Sequence, residues 1–215
     1  MSPSTPLMRV PSDPATFHRL GLILLAAGSS SRMGQPKQLL PFQGRPLIVR
    51  AVEACLASEA WPTVVVLGAH GAAVRPLLSR HPVLLADNPA WEEGMASSLR
   101  AGLTTLQCFS QAIDAVLVAL CDQPGFGADT IAALIARQRE TGAGIAAARY
   151  HQRLGAPALF TARYFAVLAG LSGDEGARHV ISAAALAGDV AEVDLPALAL
   201  DLDTPADYQR ALLSP

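Results

Sequence analysis

Apolar and polar positions along the chain follow two alternating rhythms. Residues 20–26, 63–67 and 115–120 are continuous apolar or β-branched runs, which predict buried strands. Residues 82–86 and 144–148 are shorter runs of the same kind. Between them apolar residues recur at helical spacing near 46–58, 72–78, 95–106 and 128–140. Pro46 falls in the first turn of the first of these helices and Asp129 in the first turn of the fourth, where each is favoured. Strands alternating with helices predict an α/β fold, a mostly parallel central sheet with helices on both faces.

The last third is less regular. Residues 155–160 read as extended, and 161–171 and 177–186 as helical around the polar break Ser172-Gly173-Asp174-Glu175-Gly176. A closing helix spans 204–212, with Asp203 or Thr204 at its cap and Pro205 near its first position.

In parallel sheets ligands bind outside the carboxyl ends of the strands. Four loops fall there: 27–37, 68–71, 87–94 and 121–127. The first carries Gly28, Ser29, Ser30 and Ser31 followed by the fixed cations Arg32 and Lys37. Small residues let backbone amides approach phosphate oxygens, and the cations neutralise phosphate charge. The loop is neither GxGxxG nor GxxxxGK[ST]. Nor does an acidic residue end the second strand, where Gly68-Ala69-His70 stands. Both facts speak against a nicotinamide-dependent oxidoreductase, and the first against a P-loop ATPase.

Asp122 follows the fully apolar strand 115–120, where a carboxylate suits Mg²⁺ held between protein and phosphates; the alternative is an ordinary turn residue before proline. Asp201 and Asp203 flank Leu202 with a spacing of two, so Asp203 is either a second metal ligand or a helix cap. Asn88, Gly94, Met95, Ser97 and Ser98 form a polar patch before a helix, where the serines bind substrate or cap the helix. His70 stands at a strand end, facing a base or ribose or simply exposed. Cys121 reads as a small buried residue rather than a nucleophile.

Bulk properties narrow the setting. The length of 215 residues predicts a single domain over 20–215 behind a flexible arm, 1–19, rich in Ser, Pro and Thr. With 51% hydrophobic residues, 16% charged and a formal net charge of −2, the chain is not a nucleic-acid binder working through a basic surface. The arm lacks the order of a signal peptide, and no apolar run approaches the roughly 20 residues that cross a bilayer. Cys55, Cys108 and Cys121 form no metal or disulfide pattern, which predicts a reducing, cytoplasmic setting.

The segment Leu25-Ala26-Ala27-Gly28-x-Ser30-x-Arg32-Met33-Gly34-x-Pro36-Lys37-x-Leu39-Leu40-Pro41 resembles the MobA-like nucleotidyltransferases. Within that group the chain is most similar to molybdenum cofactor cytidylyltransferases. The closer likeness rests on Asn88-Pro89 with 94–99, Asp122-Gln123-Pro124, 155–160, Gly173 to Arg178, and 203–208. The resemblance covers about residues 20 to 212. It implies a Rossmann-like nucleotidyltransferase fold and Mg²⁺-dependent transfer of CMP from CTP to the terminal phosphate of molybdenum-molybdopterin. The product would be molybdopterin cytosine dinucleotide, with pyrophosphate released, and a molybdoenzyme is a candidate recipient. Arg32, Lys37 and Asp122 take the catalytic positions. Ala26, Ala27, Gly28, Ser29, Ser30, His70, Asp87 and Asn88 join the two cations on the nucleotide side. Gly94, Ser97, Ser98, Asp174 and Arg178 fall on the side of the second substrate, and Asp122 and Asp203 on the metal. Guanylyltransferases of this fold tend to carry a second glycine where Ala26-Ala27 stands, so the resemblance favours cytosine over guanine. The alternatives are a guanylyltransferase of the molybdenum cofactor, an enzyme acting on a sugar or polyol phosphate, and a protein that binds and delivers the cofactor.

Overall fold

The computed structural model describes residues 17–174, 176–200, 202 and 204–213. In chain order the elements are β1 (Leu20–Ala26), a small hairpin β2 (Pro41–Phe42) and β3 (Arg45–Pro46), α1 (Leu47–Leu56), β4 (Thr63–Leu67) and α2 (Gly71–Leu78). They continue with β5 (Leu84–Asp87), α3 (Met95–Phe109), β6 (Ala115–Leu120), α4 (Ala128–Thr141), β7 (Ile145–Tyr150) and β8 (Arg153–Thr161). Last come α5 (Phe165–Ala169), α6 (Ala177–Leu186), β9 (Val190–Asp194) and α7 (Pro205–Leu213).

Among the described residues one seven-stranded sheet runs in the order β5-β4-β1-β6-β8-β7-β9. The β1–β4, β1–β6, β4–β5 and β7–β9 pairs are parallel, while β8 runs antiparallel to both neighbours. The sheet is therefore mostly parallel, as expected, with one reversal. That reversal is made by a two-residue turn at His151-Gln152, both at positive φ, as a hairpin of this length requires. The register of the hairpin then slips between Ala147 and Ala148, opposite the residues Ala156-Pro157, because proline has no N–H to give the ladder.

Successive β1 residues serve opposite faces. Leu22 and Leu24 join α1, α2 and α4 in one core cluster; Ile23 and Leu25 join α3, α5 and α6 in another. Helix α3 lies close on the sheet through Gly102, where a Cβ would stand 2.6 Å from Ile23 Cγ2. Two sequence expectations change. The helix expected over 161–171 is a 3₁₀ turn at Ala162–Tyr164 followed by the short α5, and β9 was not foreseen. The folded part also starts before residue 20. Phe17 is buried, and the backbone amides of His18 and Arg19 donate to the Asp114 carboxylate.

Candidate functional site

A cavity of about 430 Å³ opens at the carboxyl ends of β1 and β6. One wall is the loop after β1, through Arg32, together with Lys37 and Gln38; its floor is Leu120, Cys121 and Asp122. The facing wall is Trp91, Glu92, Gly94, Met95, Ser98 and Asp174.

The loop is built by local bonds. Ser30 sits at φ 55°, its carbonyl accepts from Met33 N at 2.9 Å, and its hydroxyl accepts from Lys37 N at 3.0 Å. Met33 is buried in a satellite cluster with Leu40, Phe42, Leu47, Leu202 and Ala211, which anchors the loop's far end. Behind the loop Gln38, only 3% exposed, donates Nε2 to Ala26 O at 3.0 Å and to Gly28 O at 2.9 Å. From the end of β4, Ala69 N donates to Ala27 O at 3.1 Å.

Lys37 is buried, and its Nζ lies 3.4 Å from Asp122 Oδ2. Asp122 follows β6, and its own carbonyl accepts from Leu202 N at 3.5 Å. Beside it, Cys121 is enclosed. Burial pushes its thiol up from the ordinary range, and the negative charge of Asp122 adds to the effect. A thiol held protonated is a poor nucleophile.

The facing wall depends on a close backbone approach. Gly94 has φ 103°, and a Cβ there would stand 2.5 Å from Asp174 Oδ1 and from the backbone of Gly173. Ala96 N donates to Gly173 O at 3.1 Å, which seats the 172–174 turn on the start of α3 and sets Asp174 in the cavity wall.

The structure brings together Ala26, Ala27, Gly28, Ser29, Ser30, Arg32, Lys37, Gly94, Ser98, Asp122 and Asp174 of the expected site residues. The others lie elsewhere. Asn88 is buried and donates to the Ser97 and Ser98 hydroxyls at 2.8 and 3.0 Å, while Ser97 donates to Gly94 O at 2.8 Å. Both therefore hold the wall from behind. Asp87 is exposed and paired with Arg75 at 2.5 Å. His70 Nε2 lies 2.9 Å from Ser29 O, against the loop, and Arg178 is exposed on α6. Asp203 lies outside the described residues; Thr204 itself exchanges hydrogen bonds with Asp207 at the start of α7, the pattern of a helix cap. Sequence reasoning missed Gln38 and Trp91. For Gln38 the one signal was an amide beside the apolar Leu39-Leu40.

Among the described residues no three His, Cys, Asp or Glu side chains converge as a ligand set. Asp122, partly exposed on the cavity floor, still fits a hard divalent ion that completes its shell with water and substrate phosphates.

The sequence profile of the MobA-like NTP transferase domain matches residues 22–190. The nicotine blue oxidoreductase of Paenarthrobacter nicotinovorans is 33% identical over 199 residues, covering 88% of this chain and 95% of that one. The purine catabolism protein PucB of Bacillus subtilis is 29% identical over 196 residues, covering 86% and 92%. The crystal structure of Rv0371c from Mycobacterium tuberculosis superposes with a TM-score of 0.78 at 28% identity, over 93% of this chain and all of that one. A structure of Rv0371c with manganese gives 0.74 at 25% identity, over 92% and 100%. With the profile spanning most of the sheet and the loop after β1, the chain belongs to the MobA-like NTP transferase family and is a nucleotidyltransferase.

Proposed function

We propose that the protein transfers CMP from CTP to the terminal phosphate of molybdenum-molybdopterin and releases pyrophosphate. The observation that carries this reading is the convergence of Lys37 and Asp122 on a Gly/Ser loop within one cavity. An oxygen of the acceptor phosphate attacks the α-phosphorus of CTP, and the bond from that phosphorus to the bridging oxygen of the leaving pyrophosphate breaks. The acceptor is already an anion, so no general base is needed, in keeping with a Cys121 thiol whose pKa burial raises. The protein's task is in-line positioning and neutralisation of charge. Lys37 and Arg32 hold phosphate oxygens, and the loop amides near Gly28 take those of the leaving group. Asp122 would hold a divalent ion, Mg²⁺ in this reading, and that ion would supply charge neutralisation at the α-phosphate. Asp203 is the second candidate ligand. Ser98, Gly94 and Asp174 face the acceptor. The three free thiols suit a cytoplasmic enzyme; a molybdoenzyme is the candidate recipient of its product.

Pyrophosphate release with molybdenum-molybdopterin as acceptor tests this reading, comparing CTP, GTP and UTP. CTP is expected to be the best donor, since Ala26-Ala27-Gly28 carries methyl groups where guanine enzymes of this fold tend to carry a second glycine. One methyl group changes binding by only about 1–3 kcal/mol, so the preference is expected to be graded. Preference for GTP would assign the guanylyl reaction instead. Tight binding of molybdopterin without pyrophosphate release from any nucleotide would leave only the delivery reading.

A further inference from the structure

Four consecutive carbonyl oxygens, from the last residue of β1 into the loop after it, are each held by a donor. Ala26 O and Gly28 O accept from Gln38 Nε2, Ala27 O from Ala69 N, and Ser29 O from His70 Nε2. A carbonyl only accepts, so the His70 ring carries a proton on Nε2. The peptide unit is planar and trans, so fixing C=O of one residue fixes the N–H of the next on the opposite side. The N–H groups of residues 27 to 30 are thereby oriented. Among the described residues, the N–H groups of Gly28, Ser29, Ser30 and Ser31 meet no protein acceptor. At Gly28 and Ser29 themselves, both exposed, side-chain packing does not hold the backbone: a Cβ on Gly28 would have no neighbour within 4 Å.

We infer that Gln38 and His70 are positioning residues that turn the loop's carbonyls aside and leave a row of N–H groups for an anion, the polyphosphate of a nucleotide. His70 acts here through Ser29, not by touching a base or ribose. The choice of nucleotide rests on the proposed function; the choice of an anion does not. Without the two side chains, the carbonyl dipoles at Gly28 and Ser29 are free to rotate toward the phosphate oxygens and repel them.

The test is calorimetric binding of inorganic tripolyphosphate to the full chain without metal. His70→Ala is expected to weaken binding about five-fold, the scale of one net hydrogen bond. His70→Gln, which keeps a donor at the position of Nε2, is expected to restore most of it. Gln38→Leu, close in volume but without donors, is expected to lose about ten-fold or more and to raise KM for the nucleotide while kcat changes less. Equal weakening in both His70 variants, or wild-type binding in both, overturns the role of His70. Wild-type tripolyphosphate affinity in a folded Gln38→Leu overturns that of Gln38. A protein that shows the expected binding pattern yet transfers no nucleotide keeps this inference and loses the transfer reaction.

Discussion

The Lys37 ammonium lies 3.4 Å from an Asp122 carboxylate oxygen, joining the turn after the loop that follows β1 to the end of the central strand β6. The partners are 85 residues apart, and the lysine side chain is only 11% exposed against 29% for the aspartate. Removing either strands the other in a partly dry site. Lys37→Ala and Asp122→Ala are each expected to cut turnover at least about 100-fold, the scale of losing one transition-state charge contact. Groups that act as a unit are not additive, so the double variant is expected to lose little more than either single one. Steady-state pyrophosphate release, with circular dichroism to confirm folding, measures this. Near wild-type turnover in a folded Asp122→Ala would overturn the proposal that Asp122 holds a divalent ion.

Gly68 is expected to tolerate no side chain. An added Cβ would stand 2.5 Å from Ala27 O and 2.8 Å from the Cβ atoms of both Ala27 and Trp91. Those are the two sides of the cavity, so the clash spreads the loop from the facing wall. Gly68→Ala is expected to cost about 1–3 kcal/mol in denaturant unfolding, as overpacking does. It is also expected to raise KM for nucleotide. Gly28→Ala is the control for adding a methyl group, since a Cβ there meets nothing within 4 Å. Equal losses of stability in the two variants would refute the steric argument.

Much of this arrangement was legible in the sequence, for identifiable reasons. The strands β1, β4 and β6 are buried on both faces, so their apolar runs were unbroken and the loops after them fell at one sheet edge. The reversal at β8 was hidden because its turn is His151-Gln152, which lacks the Asn-Gly, Asp-Gly or glycine pair that signals a two-residue hairpin. Strand β9 was hidden because only Ala191 of its five residues is buried. At the site, Asn88 and Ser97 looked like ligands because their polarity is visible in sequence and their partners are not; Asn88 spends it on Ser97, Ser98 and the Ala90 amide, and Ser97 on Asn88 and Gly94 O. Gln38 was overlooked for the same reason in reverse, since its partners are backbone carbonyls that no side-chain pattern reveals.

The three thiols are expected to separate cleanly by reactivity. Cys108 is exposed, whereas Cys55 and Cys121 are buried with thiols pushed well above the ordinary range, chiefly by loss of solvent. A disulfide reagent at mildly alkaline pH is expected to label Cys108 quickly and the other two only on unfolding. Modification of Cys108 is expected to leave pyrophosphate release unchanged, because Cys108 lies on α3 near the end away from the cavity. Rapid labelling of Cys121 in the folded protein would contradict the enclosed floor of the site.

The last helix ties stability to pH through Asp207. Its carboxylate accepts from the Thr204 amide at 2.9 Å and the Thr204 hydroxyl at 2.7 Å, and it pairs with Arg210. The Thr204 hydroxyl first, then Arg210, hold its pKa below the usual carboxylate value. A carboxyl lowered in the folded state binds its proton more tightly when unfolded. Its stabilising contribution is therefore complete above the ordinary value, about pH 4, and is lost as pH falls through the lowered one. Asp207→Asn is expected to lower the urea midpoint most at neutral pH, with the gap to wild type closing as the wild-type carboxyl is protonated. A gap that stays constant with pH would assign the loss to packing instead. The consequence is expected to reach the candidate site. Tyr208 on the same helix donates to Pro41 O at 2.5 Å, and Ala211 packs with Met33, the buried residue that anchors the loop after β1. A loosened α7 is thus expected to raise KM for nucleotide at neutral pH before it unfolds the sheet.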